Sequence, residues 1–308
     1  MAAIAAVMLM APAAPAGAAD ARVALVLSSR LGPFTQAAGA IEEELKQSRL
    51  QPEVVTYDLD GSQDNAPAVI ERIRAAHPAL ILPVGTLATE VVLSANLPIP
   101  VVFSMVLYPA QSGFLNRPGR EVTGSSLDIP LETQFRALRR LVPAAKRVGV
   151  LYSPKETGAL IDTARQVAAR VDLELDAREV ERPERAPSLF DMLLRDVDAV
   201  WTVADSHVFT AETTAALILA ALRARVPFFG LSTAQVRSGA LAALSNDYTD
   251  NGKQAAELAL RVLGGERAGA IPATPARNAT LNLNLRTAQH LGLSVDPEVE
   301  REATVVIR

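Results

Sequence analysis

Short uninterrupted apolar runs alternate along the chain with longer stretches whose apolar residues recur at helical spacing. Residues 23–27 are the first run, apolar throughout, as a strand covered on both faces requires. After a loop at 28–32, the segment 33–51 carries Phe34, Ala37, Ala38, Ile41 and Leu45 at near-helical intervals, with Pro33 close to its first turn, which predicts a helix. Further strands are predicted at 54–57, 80–84 and 101–103, helices at 68–76 and 87–93, and a turn-rich link at 58–65; Thr86 is placed to cap the helix after it. Residues 121–128 read as an apolar–polar connector, followed by an amphipathic helix over 131–141. Beyond it the pattern predicts strands at 147–152, 173–180, 199–203, 227–230 and 241–244, separated by helices at 157–171, 187–194 and 210–224. A helix over 250–263 takes Asp250 as N-cap and Gly264-Gly265 as its stop. Residues 281–285 alternate as a last strand and 287–291 suit a helical turn, whereas the charged, then apolar tail 297–308 predicts no definite element. Strands that alternate with helices need a crossover at every link, so the fold class is α/β with doubly wound parallel sheets.

The pattern repeats. Arg22-Val23-Ala24-Leu25-Val26-Leu27-Ser28 is matched by Arg147-Val148-Gly149-Val150-Leu151-Tyr152-Ser153. Ala79-Leu80-Ile81-Leu82-Pro83-Val84 is matched by Ala199-Val200-Trp201-Thr202-Val203-Ala204, and Ile99-Pro100-Val101-Val102-Phe103 by Val226-Pro227-Phe228-Phe229-Gly230. The offsets are 125 (Arg22 to Arg147), 120 (Ala79 to Ala199) and 127 (Ile99 to Val226), in the same order. Any α/β chain contains apolar runs, but shared order and near-constant spacing favour a duplication: two similar lobes with a cleft between them.

With 308 residues, 49% of them hydrophobic, each lobe has the means to bury a core of its own. The net charge is −4, aromatic residues make up 4%, and no basic stripe is present, so nucleic acid is not an expected partner. The absence of cysteine removes disulfides, a thiol nucleophile, a cysteine-based metal site and a lipid-modified N-terminal cysteine together. Residues 1–19 have an apolar run ending in Ala16-Gly17-Ala18, the small-residue pattern of a secretory leader, so export to the periplasm is expected.

In an open parallel sheet, ligands meet the loops beyond the carboxyl ends of the strands. Those loops are 28–32, Gly85-Thr86, 104–108, 153–158, 204–207 and 231–233, and each carries a Ser or Thr. Hydroxyls and unpaired N–H groups at helix starts suit a carboxylate or another anion, although a single such residue is as easily a plain N-cap. Asp205 has two readings, a carboxylate offered to a cationic group or a cap for the next helix. Phe34, Tyr108 and Tyr152 have the rings to stack on a ligand or to pack in a core. His77, His207 and His290 are scattered, and Asp205-Ser206-His207 has the residue types of a hydrolytic triad but cannot fold back on itself to serve as one. No phosphate loop, nucleophile elbow, dinucleotide fingerprint or metal-ligand cluster occurs, so no cofactor is expected and binding is favoured over catalysis.

On these residues the chain resembles the exported substrate-binding proteins of ABC transporters, of the tryptophan/tyrosine type. The resemblance runs from Arg22 to about Val295. Its more specific pieces are residues 99–103, 116–124 and 147–154, then Arg237-Ser238-Gly239-Ala240-Leu241 and residues 285–293. It implies two lobes like those of type I periplasmic binding proteins, joined by a multi-strand hinge. The first would comprise residues 20–124 plus about 247–271, the second 125–246 plus about 272–308, with crossings near 123–127, 244–247 and 271–278. It also implies ligand-binding residues Ser28, Ser29, Gly85, Thr86, Met105, Tyr108, Ser153, Thr157, Gly158, Asp205, Ser206 and Ser232. The implied partners are a small-molecule ligand and an ABC permease, with a sensor protein as the alternative and a monomer as the expected state. The chain departs from the pattern at Leu107-Tyr108-Pro109 and Leu231-Ser232-Thr233, where relatives often carry carboxylates. Amino acids and other small carboxylates therefore both stay open as ligands.

Overall fold

The computed structural model describes residues 21–115, 117, 119 and 121–308; the predicted leader lies outside them. Two compact units emerge. The first takes the chain as far as Ser126 and takes it back for Tyr248–Thr274, and the second comprises Leu127–Asp247 and Pro275–Arg308.

In the first lobe β1 (Arg22–Leu27), α1 (Gly32–Gln47), β2 (Glu53–Asp58), α2 (Ala66–Ala76), β3 (Leu80–Val84), α3 (Thr86–Ser94), β4 (Val101–Val106) and β5 (Val122–Ser126) follow one another. The strands form one parallel sheet in the order β2-β1-β3-β4-β5. Its central strands β3 and β4 are buried along their whole length, whereas the edge strand β2, with the sequence EVVTYD, is mostly exposed to some degree. The apolar stripe of α1 predicted its buried set, but the helix stops at Gln47, because Ser48 is extended and Gln51 adopts φ 40° ahead of Pro52. Residues 122–126 are a correction to the connector reading: they are the fifth strand, every residue buried. Thr123, Gly124, Ser125 and Ser126 hide a core strand from a hydrophobicity pattern, and Gly124 is required because a Cβ there would run into the Phe103 ring.

The second lobe contains α4 (Leu131–Leu141), β6 (Arg147–Tyr152), α5 (Pro154–Ala169), β7 (Glu174–Glu179), α6 (Ala186–Leu193), β8 (Ala199–Trp201), α7 (Ala211–Ala224), β9 (Phe228–Gly230), α8 (Thr233–Arg237) and β10 (Ala242–Asn246). After α9 (Tyr248–Leu263), which belongs to the first lobe, come β11 (Ala279–Asn284), α10 (Leu285–His290), α11 (Pro297–Glu302) and β12 (Val305–Ile307). The sheet runs β12-β11-β10-β9-β8-β6-β7. Its members β7-β6-β8-β9-β10 repeat the order of the first sheet position for position. One pairing departs from the all-parallel expectation: β11 lies antiparallel to β10, and the tail then adds β12 parallel to β11. In the core, Trp201 packs its ring 4.9 Å from that of Phe135 and donates its indole N–H to Gln134 Oε1 at 2.8 Å, so the largest side chain is buried with its polar atom satisfied.

Helix α9 carries Asn251 and Gly252 into the first lobe, with Asp250 inside the helix and not at its cap. Gly252 lies against the Ala37 backbone of α1, and a Cβ there would overlap the Ala37 carbonyl. Gly252→Ala must separate two packed helices, an overpacking cost of roughly 1–3 kcal/mol, and is expected to lower the midpoint of urea unfolding accordingly. In the second lobe, Asp198 Oδ2 accepts the N–H groups of Lys146 and Arg147, both at 2.8 Å, where β6 begins. These bonds, from Arg147 first and then Lys146, hold its carboxyl below the usual aspartate value. A lowered folded-state pKa stabilises above the unfolded value and is lost as pH falls through the folded one. The stability difference between the native chain and Asp198→Asn is therefore expected to be full at neutral pH, to begin falling near the ordinary 3.8 of an aspartate and to vanish only below the lower folded-state value, as read by denaturant titrations across pH.

Candidate functional site

A parallel sheet with the order 2-1-3-4-5 opens a crevice between its first and third strands, where the crossovers leave in opposite directions. In the first lobe that crevice is bounded by the loops after β1 and β3. Ser28, 5% exposed, donates its hydroxyl to Val84 O at 2.9 Å and accepts the Ala88 N–H of α3 at 3.0 Å. It thus caps a helix on a neighbouring strand's loop. The cap predicted for Thr86 is corrected here: Gly85 is the N-cap, at φ 97° and without a side chain, and Thr86 is the first helical residue, with its side chain exposed. A Cβ on Gly85 would meet Ser28 Oγ at 2.5 Å and the Phe34 ring at 2.7 Å, so glycine is needed both for the dihedral and for the space. Ser29 is half-buried on the same loop.

The end of β4 is held by Asn251 of α9. Its Oδ1 accepts the Ser104 hydroxyl and the Met105 N–H, both at 2.9 Å, and its Nδ2 donates to Ser125 Oγ and Ser126 O, both at 2.8 Å. A side-chain amide has two donors and one carbonyl oxygen with two lone pairs, and all are used. The clamp sits where the backbone is least relaxed: Met105 and Tyr108 have φ 60° and 52°, the left-handed region that non-glycine residues seldom occupy. Met105 is buried and Tyr108 half-buried.

In the second lobe the equivalent crevice lies between β6 and β8, and Asp205 closes it. This residue is 1% exposed. Its Oδ2 accepts the Ser153 N–H at 2.7 Å and the Thr157 hydroxyl at 2.6 Å, while Oδ1 accepts the N–H groups of His207 and Val208, both at 3.1 Å. The predicted cap of the next helix is corrected: α7 is capped by Thr210, and Asp205 instead ties the start of α5 to its own loop, with four acceptances that leave no carboxylate oxygen idle. Ser153 is the N-cap of α5 but its hydroxyl makes no cap bond, and Gly158 lies inside the same helix, where a Cβ would make only ordinary contact with Pro154. Ser206 is exposed, and its N–H and hydroxyl are both taken by Glu156 at 2.9 Å. Ser232 caps the short α8 by accepting the Gln235 N–H. Tyr152 is a core residue rather than a stacking platform: it is buried, and its phenol donates to Glu179 at 2.9 Å. Burial first, then the Glu179 carboxylate, push that phenol above its ordinary pKa.

A cavity of about 680 Å³ lies on this lobe at the ends of β6, β7 and β8, lined by residues 153–156, 179–181, 206 and 207. Ser153 and Ser206 are thus brought to one wall with Glu156, and Thr157 and Asp205 stand behind it. Glu156 and Asn251 were missed from the sequence. For Glu156 a signal existed, since Ser153-Pro154-Lys155-Glu156 has capping-box spacing; for Asn251, one residue inside a predicted helix start, there was none. No group of three or more His, Asp or Glu among the described residues is placed to hold a metal, and no helix among them is long and apolar enough to cross a membrane.

Two lobes of doubly wound sheet whose polar side chains gather at the strand ends define the binding fold of periplasmic solute receptors. The chain belongs to the ABC transporter substrate binding protein family, whose pattern it matches over residues 34–307. Among curated relatives it is 24% identical over 247 residues to the tyrosine-binding protein of Clostridioides difficile strain R20291, covering 78% of this chain and 71% of that one. Among solved structures, the ligand-free, open form of a substrate binding protein with adhesive properties from Clostridium difficile aligns with a TM-score of 0.77 at 17% identity, over 94% of this chain and all of that one. An ABC domain from Streptococcus pneumonia in complex with L-Trp aligns with a TM-score of 0.66 at 22% identity, with the same coverage.

Replacing Asp205 with alanine removes the acceptor of three N–H groups and a hydroxyl at the start of α5 and along the loop. The expected loss is about 3 kcal/mol in denaturant unfolding, smaller for Asp205→Asn, which keeps one acceptor oxygen.

Proposed function

We propose that the chain is the exported receptor of an ABC importer and that it captures an amino acid, tyrosine or tryptophan being the first candidates. The observation that carries the chemistry is the start of α3. Its N-cap is a glycine and its side-chain cap comes from Ser28, a neutral hydroxyl that leaves the helix end positive, with the exposed Thr86 hydroxyl beside it. Such a terminus favours a carboxylate. The second lobe supplies the opposite sign: Glu156, Glu179 and Glu181 outnumber the one lysine, Lys155, in the lining of its cavity, a setting for an ammonium group. The names of the curated relative and of the tryptophan-bound structure support this ligand class.

In this reading the ligand engages strand-end loops of one lobe first and those of the other on hinge closure, so binding shifts the population towards the form a permease recognises. Ser28, Gly85 and Asp205 act behind the contact surface, and Ser29, Thr86, Tyr108, Ser153 and Ser206 at it. The protein is then periplasmic and monomeric, with a permease as its partner.

A thermal-shift panel of L-tyrosine, L-tryptophan, short carboxylates and purines tests the proposal. A true ligand at a hundred times its Kd stabilises the folded state by about 2.7 kcal/mol. A melting temperature unmoved by both amino acids and by the carboxylates would discard it.

A further inference from the structure

Glu156 does not go where its sequence position sends it. In a capping box the glutamate three residues after the serine returns to the serine's own N–H. Here that N–H, on Ser153, is already donated to Asp205 at 2.7 Å. Glu156 instead reaches the neighbouring loop: Oε1 accepts the Ser206 N–H at 2.9 Å, and Oε2 accepts the Ser206 hydroxyl at 2.9 Å and the His207 N–H at 3.3 Å. The two carboxylates are exchanged, Asp205 reaching from the β8 loop to the start of α5 and Glu156 from α5 back to the β8 loop.

The exchange has a chemical consequence. A hydroxyl has one hydrogen, and Ser206 spends it on Glu156. Towards the cavity Ser206 Oγ therefore presents lone pairs alone, and the N–H groups of Ser206 and His207 are also occupied. We infer that Glu156 is a positioning residue that fixes the polarity of this wall. Acting through Ser206, it makes the side of the wall away from Lys155 an acceptor, which selects a donor-bearing group there, a protonated amine above all, over a carboxylate. This rests on the reading of the chain as a small-molecule receptor. It adds a selectivity determinant that lies outside the strand-end hydroxyls. Gln at position 156 would carry an NH₂ able to donate to Ser206 Oγ, freeing the hydroxyl hydrogen to turn outward.

Two measurements test it. In the ligand-free protein, amide exchange at Ser206 is expected to be at least about tenfold faster in Glu156→Ala than in the native chain, with His207, still held by Asp205, and the amides of β6 little changed. Equal rates would show that Glu156 does not hold the loop. In calorimetry, L-tyrosine is compared with 3-(4-hydroxyphenyl)propionate, which lacks only the amine. The native chain should prefer tyrosine, and Glu156→Gln should cut that preference about tenfold at an unchanged melting temperature. A preference that survives the substitution overturns the assignment of polarity. If neither compound binds the native chain, the receptor reading fails for this ligand class and the selectivity claim falls with it, whereas the exchange measurement still decides whether Glu156 positions the loop.

Discussion

A polar side chain buried at the end of a parallel sheet has lost its water and must find every partner among its neighbours, or the lobe pays for the vacancy. Three residues meet that demand here, and each in doing so fixes a loop. Ser28 joins β1 to α3. Asn251 joins the returning helix α9 to the ends of β4 and β5. Asp205 joins β8 to the start of α5. Because their donors and acceptors are used internally, the exposed groups around them stand in set orientations, which is the pre-organisation a binding surface needs.

The two lobes share a strand order but do not close their crevices in the same way. In the first, a neutral hydroxyl leaves from the first strand towards the third. In the second, a carboxylate leaves from the third-strand loop towards the helix after the first. The direction is reversed and the charge is different, so the start of α3 keeps its positive character while the start of α5 has an aspartate beneath it. A duplicated framework has thereby become two chemically unlike surfaces.

Much of the framework was legible because apolar runs and helical spacing report burial directly. Buried strands such as β1, β3 and β6 stood out, as did the stripe of α1. What escaped were elements whose burial is polar or small: β5, built of Val, Thr, Gly and Ser, and the short β12, whose partner β11 is half polar. The site was legible as a set of loops but not as a set of roles. Ser28, Thr157 and Asp205 carry residue types that suggest ligand contact, and all three point inward. Their partners are 48 to 60 residues away in sequence, beyond the reach of any local pattern. Glu156 shows the converse, a correct local motif whose expected bond is pre-empted from a distance by Asp205.

The first lobe cannot be assembled from its first 126 residues alone, because Asn251 and Gly252 arrive only with Tyr248–Thr274. Nor is the second finished until β12 has joined its sheet near the last residue. Neither unit is therefore complete until segments far apart in the sequence have been joined, and the loop-closure entropy of joining them is met late in folding. The late clamp makes each lobe cooperative over its whole span: loosening α9 or the tail undoes packing laid down more than a hundred residues earlier.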